Sequence, residues 1–166
     1  MSKLLLQGLL PPLTEAAPDD AALNALGEQV RGAVRKKLGG SLSIRQVDAG
    51  SCNACELEIH ALSNAYYDIG RFGIHFVASP RHADMLLVTG PVTKNMAEAL
   101  KRTFDATPNP KWVVAAGDCA CTGGPFGGNY ACMNGVADVV PVDLRIPGCP
   151  PTPTALLTGL LALLTL

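Results

Sequence analysis

The chain has 166 residues, of which 48% are hydrophobic and 16% are charged, and its formal net charge is −1. That length is enough for one domain with a sizeable core. The near-zero net charge argues against nucleic-acid binding, which usually requires a basic patch. The apolar content is high for a free-standing soluble protein, and it favours a surface that is partly buried against partner subunits.

The first 41 residues differ from the rest and are predicted to form an N-terminal arm or docking helix. Five leucines between residues 4 and 10 precede Pro11 and Pro12, residues 21–38 have a helical pattern, and two glycines at 39–40 end it. The alternative is a poorly ordered tail, since chain termini are often disordered. No secretory cleavage site is visible, and no apolar run reaches the roughly 18 residues of a membrane span, so a cytoplasmic protein is expected.

Residues 42–166 alternate between predicted strands and helices. Strands are expected at 42–47, 74–78, 85–88, 111–116 and, at a sheet edge, 139–146. Helices are expected at 56–67, at 95–107 with Asn95 as N-cap, and at 154–164 after a favourable Pro153. This alternation predicts an α/β domain with a mostly parallel sheet and helices on both faces. The last helix has leucines nearly all round, so we expect it to contact partner subunits.

Six cysteines are present, and four of them follow predicted strands. Cys52 and Cys55 follow the first strand, Cys119 follows the strand at 111–116, and Cys149 follows the last extended segment. Because ligands of parallel sheets bind outside the carboxyl ends of the strands, these thiols should meet at one edge. The Cys52–Cys55 pair alone is compatible with zinc, an iron–sulfur cluster or a thioredoxin-like dithiol.

The surroundings of the other two cysteines favour a cluster. Glycines surround Cys119 in residues 117–124, and prolines flank Cys149 in residues 147–151. Glycine lets backbone amides approach cluster sulfides, a Cys-Pro step is common among cluster ligands, and four thiolates match the ligation of a 4Fe–4S cluster. Zinc is the alternative metal, but structural zinc sites usually have two close ligand pairs, and the histidines His60, His75 and His82 lie outside the cysteine segments.

Four segments together resemble the small subunit of NiFe hydrogenases and the homologous 20-kDa subunit of respiratory complex I. They are residues 50–58, residues 81–84 with 89–93, residues 117–124, and residues 147–153. The resemblance extends over residues 42–166 and implies a flavodoxin-like fold that binds one 4Fe–4S cluster beside the active site of a large subunit. By position it implies four ligands, namely Cys52, Cys55, Cys119 and Cys149.

The other two cysteines have no implied role. Cys121 lies two residues past the third implied ligand and could compete with Cys119. Cys132 matches no ligand position of the family.

The spacing of Cys52 and Cys55 resembles that of hydrogenases, whereas the complex I subunit has adjacent cysteines at this site. A secretion signal and a cluster-binding C-terminal extension, both usual in uptake hydrogenases, are not evident in the sequence. This combination resembles the membrane-bound, energy-converting group, which includes hydrogenases of formate hydrogenlyase type. The implied partners are a NiFe hydrogenase large subunit, a ferredoxin-like iron–sulfur subunit and integral-membrane subunits. The implied location is the cytoplasmic face of the cell membrane, where these partners would hold the chain peripherally.

The resemblance implies an oxidoreductase subunit that relays electrons while the large subunit performs the bond chemistry. Glu58 aligns with a position that is also acidic in the complex I relatives, so it is the candidate for coupling proton movement to electron movement. Glu56 is expected only to favour the positive end of its helix. The alternatives are the equivalent subunit of a complex I-like NADH/quinone oxidoreductase or of a hydrogenase-related complex without nickel. An alternative of another class is a zinc-stabilised or thiol-redox binding module.

Overall fold

A computed structural model describes residues 19–166 of the chain. At its centre is a five-stranded sheet in which each strand is parallel to its neighbours. The strands are β1 (Leu42–Asp48), β2 (Ile74–Phe76), β3 (Met85–Thr89), β4 (Trp112–Ala116) and β5 (Leu144–Ile146). Their spatial order is β2-β1-β3-β4-β5. This is the flavodoxin-like order, so the predicted parallel α/β fold is confirmed.

Helices cover both faces of the sheet. Those in the described part of the chain are α1 (Asp20–Leu38), α2 (Ala54–Ala61), α3 (Lys94–Ala106), α4 (Asp118–Thr122) and α5 (Pro153–Thr165). Helices α1, α2 and α5 pack on one face, whereas α3 and α4 pack on the other. Every residue of β3 is buried, because alternate side chains enter the two halves of the core. Among the described helices, none combines the length and apolarity that crossing a membrane requires.

Helix α1 is an integral part of the core. The Asp19 side chain accepts a hydrogen bond from the Ala21 amide (3.0 Å), and Gly39, with φ +75°, ends the helix. Val30 and Val34 are completely buried in the same half of the core as α5. The predicted helix is therefore confirmed, while its docking role stays a prediction. The leucines at positions 4–10 lie outside the described residues.

The packing of α1 against α5 also explains why most leucines of α5 are buried. Five leucines of α5 are buried, at positions 156, 157, 160, 163 and 164. We predicted partner contacts for this helix because one sheet face could not cover it. Helix α1 supplies much of that cover from within the chain.

Several helices begin or end at residues other than those predicted. Helix α2 ends at Ala61 rather than near residue 67. The Asn64 side chain accepts hydrogen bonds from the backbone amides of Tyr66 and Tyr67 (both 2.9 Å), and this turn replaces a further helical turn. The N-cap of α3 is Thr93, not Asn95.

The last strand and helix also differ in detail from the prediction. Strand β5 is shorter than predicted but lies at the sheet edge as expected. Pro153 opens α5, and the Thr152 side chain accepts the Ala155 amide (3.2 Å), so the predicted start is confirmed.

Candidate functional site

Four cysteines meet at the carboxyl edge of the sheet. The loops after β1, β3, β4 and β5 enclose one small cavity, called here the cysteine cavity. It is bordered by Cys52, Cys55, Cys119 and Cys149, together with Pro91 and Phe126. The side chains themselves fill most of the space and leave about 20 Å³. The predicted convergence of these thiols on one sheet edge is therefore observed.

The loop after β1 is held rigidly before it reaches the first two cysteines. The Asp48 carboxylate accepts the amides of Gly50 and Ser51, both at 2.8 Å. The Ser51 hydroxyl then accepts the Asn53 amide (3.2 Å), and Asn53 adopts a left-handed conformation with φ +72°. These turns place Cys52 in the loop and Cys55 in the first turn of α2.

The loops that carry Cys119 and Cys149 are fastened to each other. The Asp118 amide donates to the Gly148 carbonyl, and the Gly148 amide donates back to the Asp118 carboxylate, both at 2.8 Å. Cys119 itself lies in the short helix α4, which the sequence pattern did not predict. This reciprocal pair fixes the spacing between two cysteines that are 30 positions apart, 119 to 149.

Two glycines leave room for the thiols. A Cβ atom at Gly117, where φ is +94°, would lie 2.6 Å from the Cys55 Sγ atom. A Cβ at Gly124, where φ is +51°, would lie 3.0 Å from the Cys119 Sγ atom. A side chain at either position would therefore fill the space next to a thiol, which explains why the sequence has glycine there.

Electrostatics show that the thiols act on one another. Burial, as the largest cause, together with the neighbouring Glu56 and the other three cysteines of the cavity raises the pKa of Cys55 from 9.0 to about 12. Burial also raises the pKa of Cys119, with Cys149, Cys52 and Asp118 contributing. Thiols that oppose one another's ionisation are poised to bind a positively charged group, which removes the repulsion.

The remaining cysteines lie outside the cavity. The Cys121 Sγ atom points into the sheet, 3.6 Å from the Ala115 carbonyl and 3.7 Å from the Ile146 carbonyl. Cys132 forms an isolated antiparallel bridge with Thr93, and its amide donates to the Asn129 side chain (2.9 Å). The three histidines, His60, His75 and His82, are exposed and do not border the cavity.

One of the two acidic residues of α2, Glu56, differs from expectation. Glu56 is only 5% exposed, and neither carboxylate oxygen has a hydrogen-bond partner within residues 19–166. A role at the helix start alone would not require such burial, which is costly for an unpaired carboxylate. Glu58 is half-buried, one turn beyond Cys55. Sequence reasoning assigned Glu56 only to the helix start, and it missed Phe126, which borders the cavity while 46% exposed.

Within the described residues, no three side chains of His, Cys, Asp or Glu are grouped so that they could hold one metal ion. The four cysteines border a common space from the loops after β1, β4 and β5.

Comparison with known proteins places the chain in a family. The family described as NADH ubiquinone oxidoreductase, 20 Kd subunit, matches residues 52–163, a range that includes all four cavity cysteines. A subunit of an archaeal respiratory membrane complex, the membrane-bound sulfane sulfur reductase, is 35% identical over 83% of this chain and 75% of that one, with a TM-score of 0.68.

A second solved structure shares the fold. A chain of an NAD⁺-reducing [NiFe]-hydrogenase is 20% identical over 75% of this chain and 92% of that one, with a TM-score of 0.59. The predicted resemblance is thus confirmed: the chain is an oxidoreductase-family subunit and belongs to the family of the 20-kDa subunit of NADH:ubiquinone oxidoreductase and the NiFe hydrogenase small subunit.

Proposed function

We propose that the chain binds one 4Fe–4S cluster through Cys52, Cys55, Cys119 and Cys149 and serves as the electron-transfer small subunit of a membrane-bound NiFe hydrogenase. The observation that carries this proposal is the meeting of these four thiols at one cavity within the family-matched segment. Four thiolates are the usual ligands of such a cluster.

The residues of the chain would hold and shield this group. A bound 4Fe–4S cluster accepts and donates single electrons. Gly117 and Gly124 leave space beside two of the thiols, while Pro91 and Phe126 restrict water at the rim. Electrons would pass between the NiFe centre of a large subunit and a ferredoxin-like subunit. Integral-membrane subunits would hold the complex at the cytoplasmic face of the membrane.

Glu58 is proposed to move protons beside the cluster. It lies one turn beyond Cys55 and is half-buried, so it is close to the site yet within reach of water. Its neighbour Glu56 is fully enclosed and unpaired within the described residues, which adds a second carboxyl group on the same short helix. Residues two apart on a helix do not face each other, so the proposal rests on Glu58 alone as the acid–base group.

A second candidate function has specific support. The relative that is 35% identical is part of a sulfane sulfur reductase, not of a hydrogenase. The same electron-transfer role could therefore belong to a hydrogenase-related complex without nickel, or to a complex I-like quinone reductase. Nickel content, hydrogen evolution and sulfur or quinone reduction, measured on one purified complex, distinguish these reactions without altering the role proposed for this chain.

The cluster is tested by its composition and by two cysteine variants. We expect about four iron and four sulfide per chain in the anaerobically purified complex. Cys119→Ala should remove the cluster EPR signal, whereas Cys132→Ala, outside the cavity, should retain it. One zinc without sulfide would refute the proposal, and an unchanged signal in Cys119→Ala would remove Cys119 from the ligand set.

A further inference from the structure

An open groove runs between α1 and α5. Its floor is formed by Gly32 and Ala33 of α1 and by Leu161 and Ala162 of α5, with Lys36 at its rim. The groove has a volume of about 540 Å³, compared with about 20 Å³ for the cysteine cavity. We call it the α1–α5 groove. It takes no part in the function proposed above.

The shape of the groove suits a helix. A Cβ at Gly32 would meet no atom within 4 Å, and Ala162 is exposed, so another backbone can approach closely. Residues 29–36 of α1 span about 10 Å, or two helical turns. An adjoining cavity of about 440 Å³, beside Lys37 and Leu166, extends the groove further. Laying an apolar helix face into such a groove is a common mode of recognition.

The rim of the groove is positively charged. Lys36 lines the groove and Lys37 lines the adjoining cavity, and both are exposed in the last turn of α1. Within residues 19–166, the ion pairs involve Arg31 and Arg102, so no described carboxylate forms an ion pair with Lys36 or Lys37. These cations favour the end of their own helix, and they also leave an apolar groove beside unbalanced positive charge. The complementary occupant carries negative charge.

We propose that the α1–α5 groove binds an amphipathic helix of a partner subunit, with small apolar residues on the groove floor and Asp or Glu side chains against Lys36 and Lys37. This rests on the proposed function only in requiring a multi-subunit complex. A bilayer surface is less suitable because it calls for protruding apolar side chains. Among the described residues, the exposed Leu57, Phe126 and Tyr130 lie elsewhere, and the terminal Leu166 is the large exposed side chain that borders the groove.

The groove and the thiols lie at opposite edges of the sheet. Helix α1 ends at Leu38, just before β1 begins at Leu42. The Lys37 ammonium lies 5.8 Å from the ring centre of Trp112, the first residue of β4. The basic end of the groove is therefore at the amino edge of the sheet, whereas the cysteine cavity is at its carboxyl edge. Loss of the groove contact should leave the cluster undisturbed.

Photo-crosslinking in the assembled complex identifies the occupant. A benzoylphenylalanine at position 162 probes the groove, and one at the exposed position 101 of α3 serves as the control. We expect position 162 to crosslink to one segment of one partner subunit that has acidic residues and apolar residues at helical spacing. Crosslinks to lipid, to residues 1–18, to a second copy of this chain, or none above the control would overturn the proposal.

Charge reversal then tests the rim. Lys36→Glu with Lys37→Glu should reduce the crosslinked partner at least about tenfold, and Lys36→Gln with Lys37→Gln should reduce it less, since close charge pairs contribute on this scale. Lys101→Glu is the matched control. Iron content and the cluster EPR signal should stay unchanged. Retained partner in the double Glu variant, or a cluster lost together with the partner, would overturn the groove proposal. Normal iron with no groove contact leaves the proposed electron-transfer function intact.

Discussion

At Cys55, burial, the neighbouring Glu56 and three further thiols oppose ionisation in the cluster-free protein. Because its pKa is raised from 9.0 to about 12, the folded state keeps a proton that the unfolded chain releases above about pH 9. The contribution of Cys55 to the free energy of unfolding should therefore be fully present below pH 9. It should decline as the pH rises from 9 towards 12. The raised pKa values of Cys119 and Cys121 act in the same direction.

We predict that the denaturant midpoint of the cluster-free chain falls between pH 8 and pH 10.5. Cys55→Ser, which does not titrate in this range, should show a smaller fall. At pH 8.5, mass spectrometry should find Cys55 alkylated at least about tenfold more slowly than the exposed Cys149, because thiolate content controls the rate. Equal rates at the two cysteines would show that Cys55 is not shielded.

Glu58 is tested by an isosteric change that removes only its titrating group. We predict that Glu58→Gln lowers turnover of the assembled complex by at least about tenfold if the carboxyl group moves protons. Glu98→Gln, on α3 with its side chain exposed and paired with Arg102, is the matched control and should leave turnover unchanged. Iron content must be normal in both variants. Full activity in the cluster-containing Glu58→Gln complex would reduce this residue to a helix-stabilising role.

Among the structural elements, the turn before α4 depends on the absence of a side chain. We predict that Gly117→Ala prevents cluster binding, since the new Cβ would lie 2.6 Å from the Cys55 Sγ atom. Gly128→Ala is the control for a positive φ, here +75°, because its Cβ would meet nothing within 4 Å. Iron content and circular dichroism of both variants are the measurements. Equal iron in the two variants would contradict a role for this close approach.

The elements themselves were largely predictable from local pattern. The predicted strands, together with glycine and proline residues, indicated where the loops lie. The parallel topology then brings Cys52, Cys119 and Cys149 together, as expected. The predictions that were wrong concern features that depend on contacts with other residues rather than on local pattern. The burial of Glu56 is decided by tertiary contacts that no spacing encodes. The early end of α2 follows from the Asn64 turn, which competes with a helix of otherwise adequate pattern.

For the molecule as a whole, α1 is expected to be essential to stability. Gly27 is buried against Phe72, and a Cβ there would lie 2.2 Å from the ring. We predict that Gly27→Ala destabilises the chain by about 1–3 kcal/mol through overpacking. Gly32→Ala, on the same helix with open space around it, should instead stabilise it by roughly 0.5–1 kcal/mol. Chemical denaturation measures both, and similar values would show that α1 does not pack tightly.

The loops that carry the thiols are far apart along the chain, and this separation imposes a delay during synthesis. Cys52 and Cys149 are 97 positions apart, 149 − 52, and the ribosome adds residues from the N-terminus. At roughly 5–20 residues per second, the first two thiols exist for roughly 5–20 seconds before the fourth is made. During that time Cys52 and Cys55 are two close thiols without their companions, open to oxidants or stray metal ions. For the proposed cluster, a reducing compartment and a timely iron donor are thus requirements that follow from the distance between these loops along the chain.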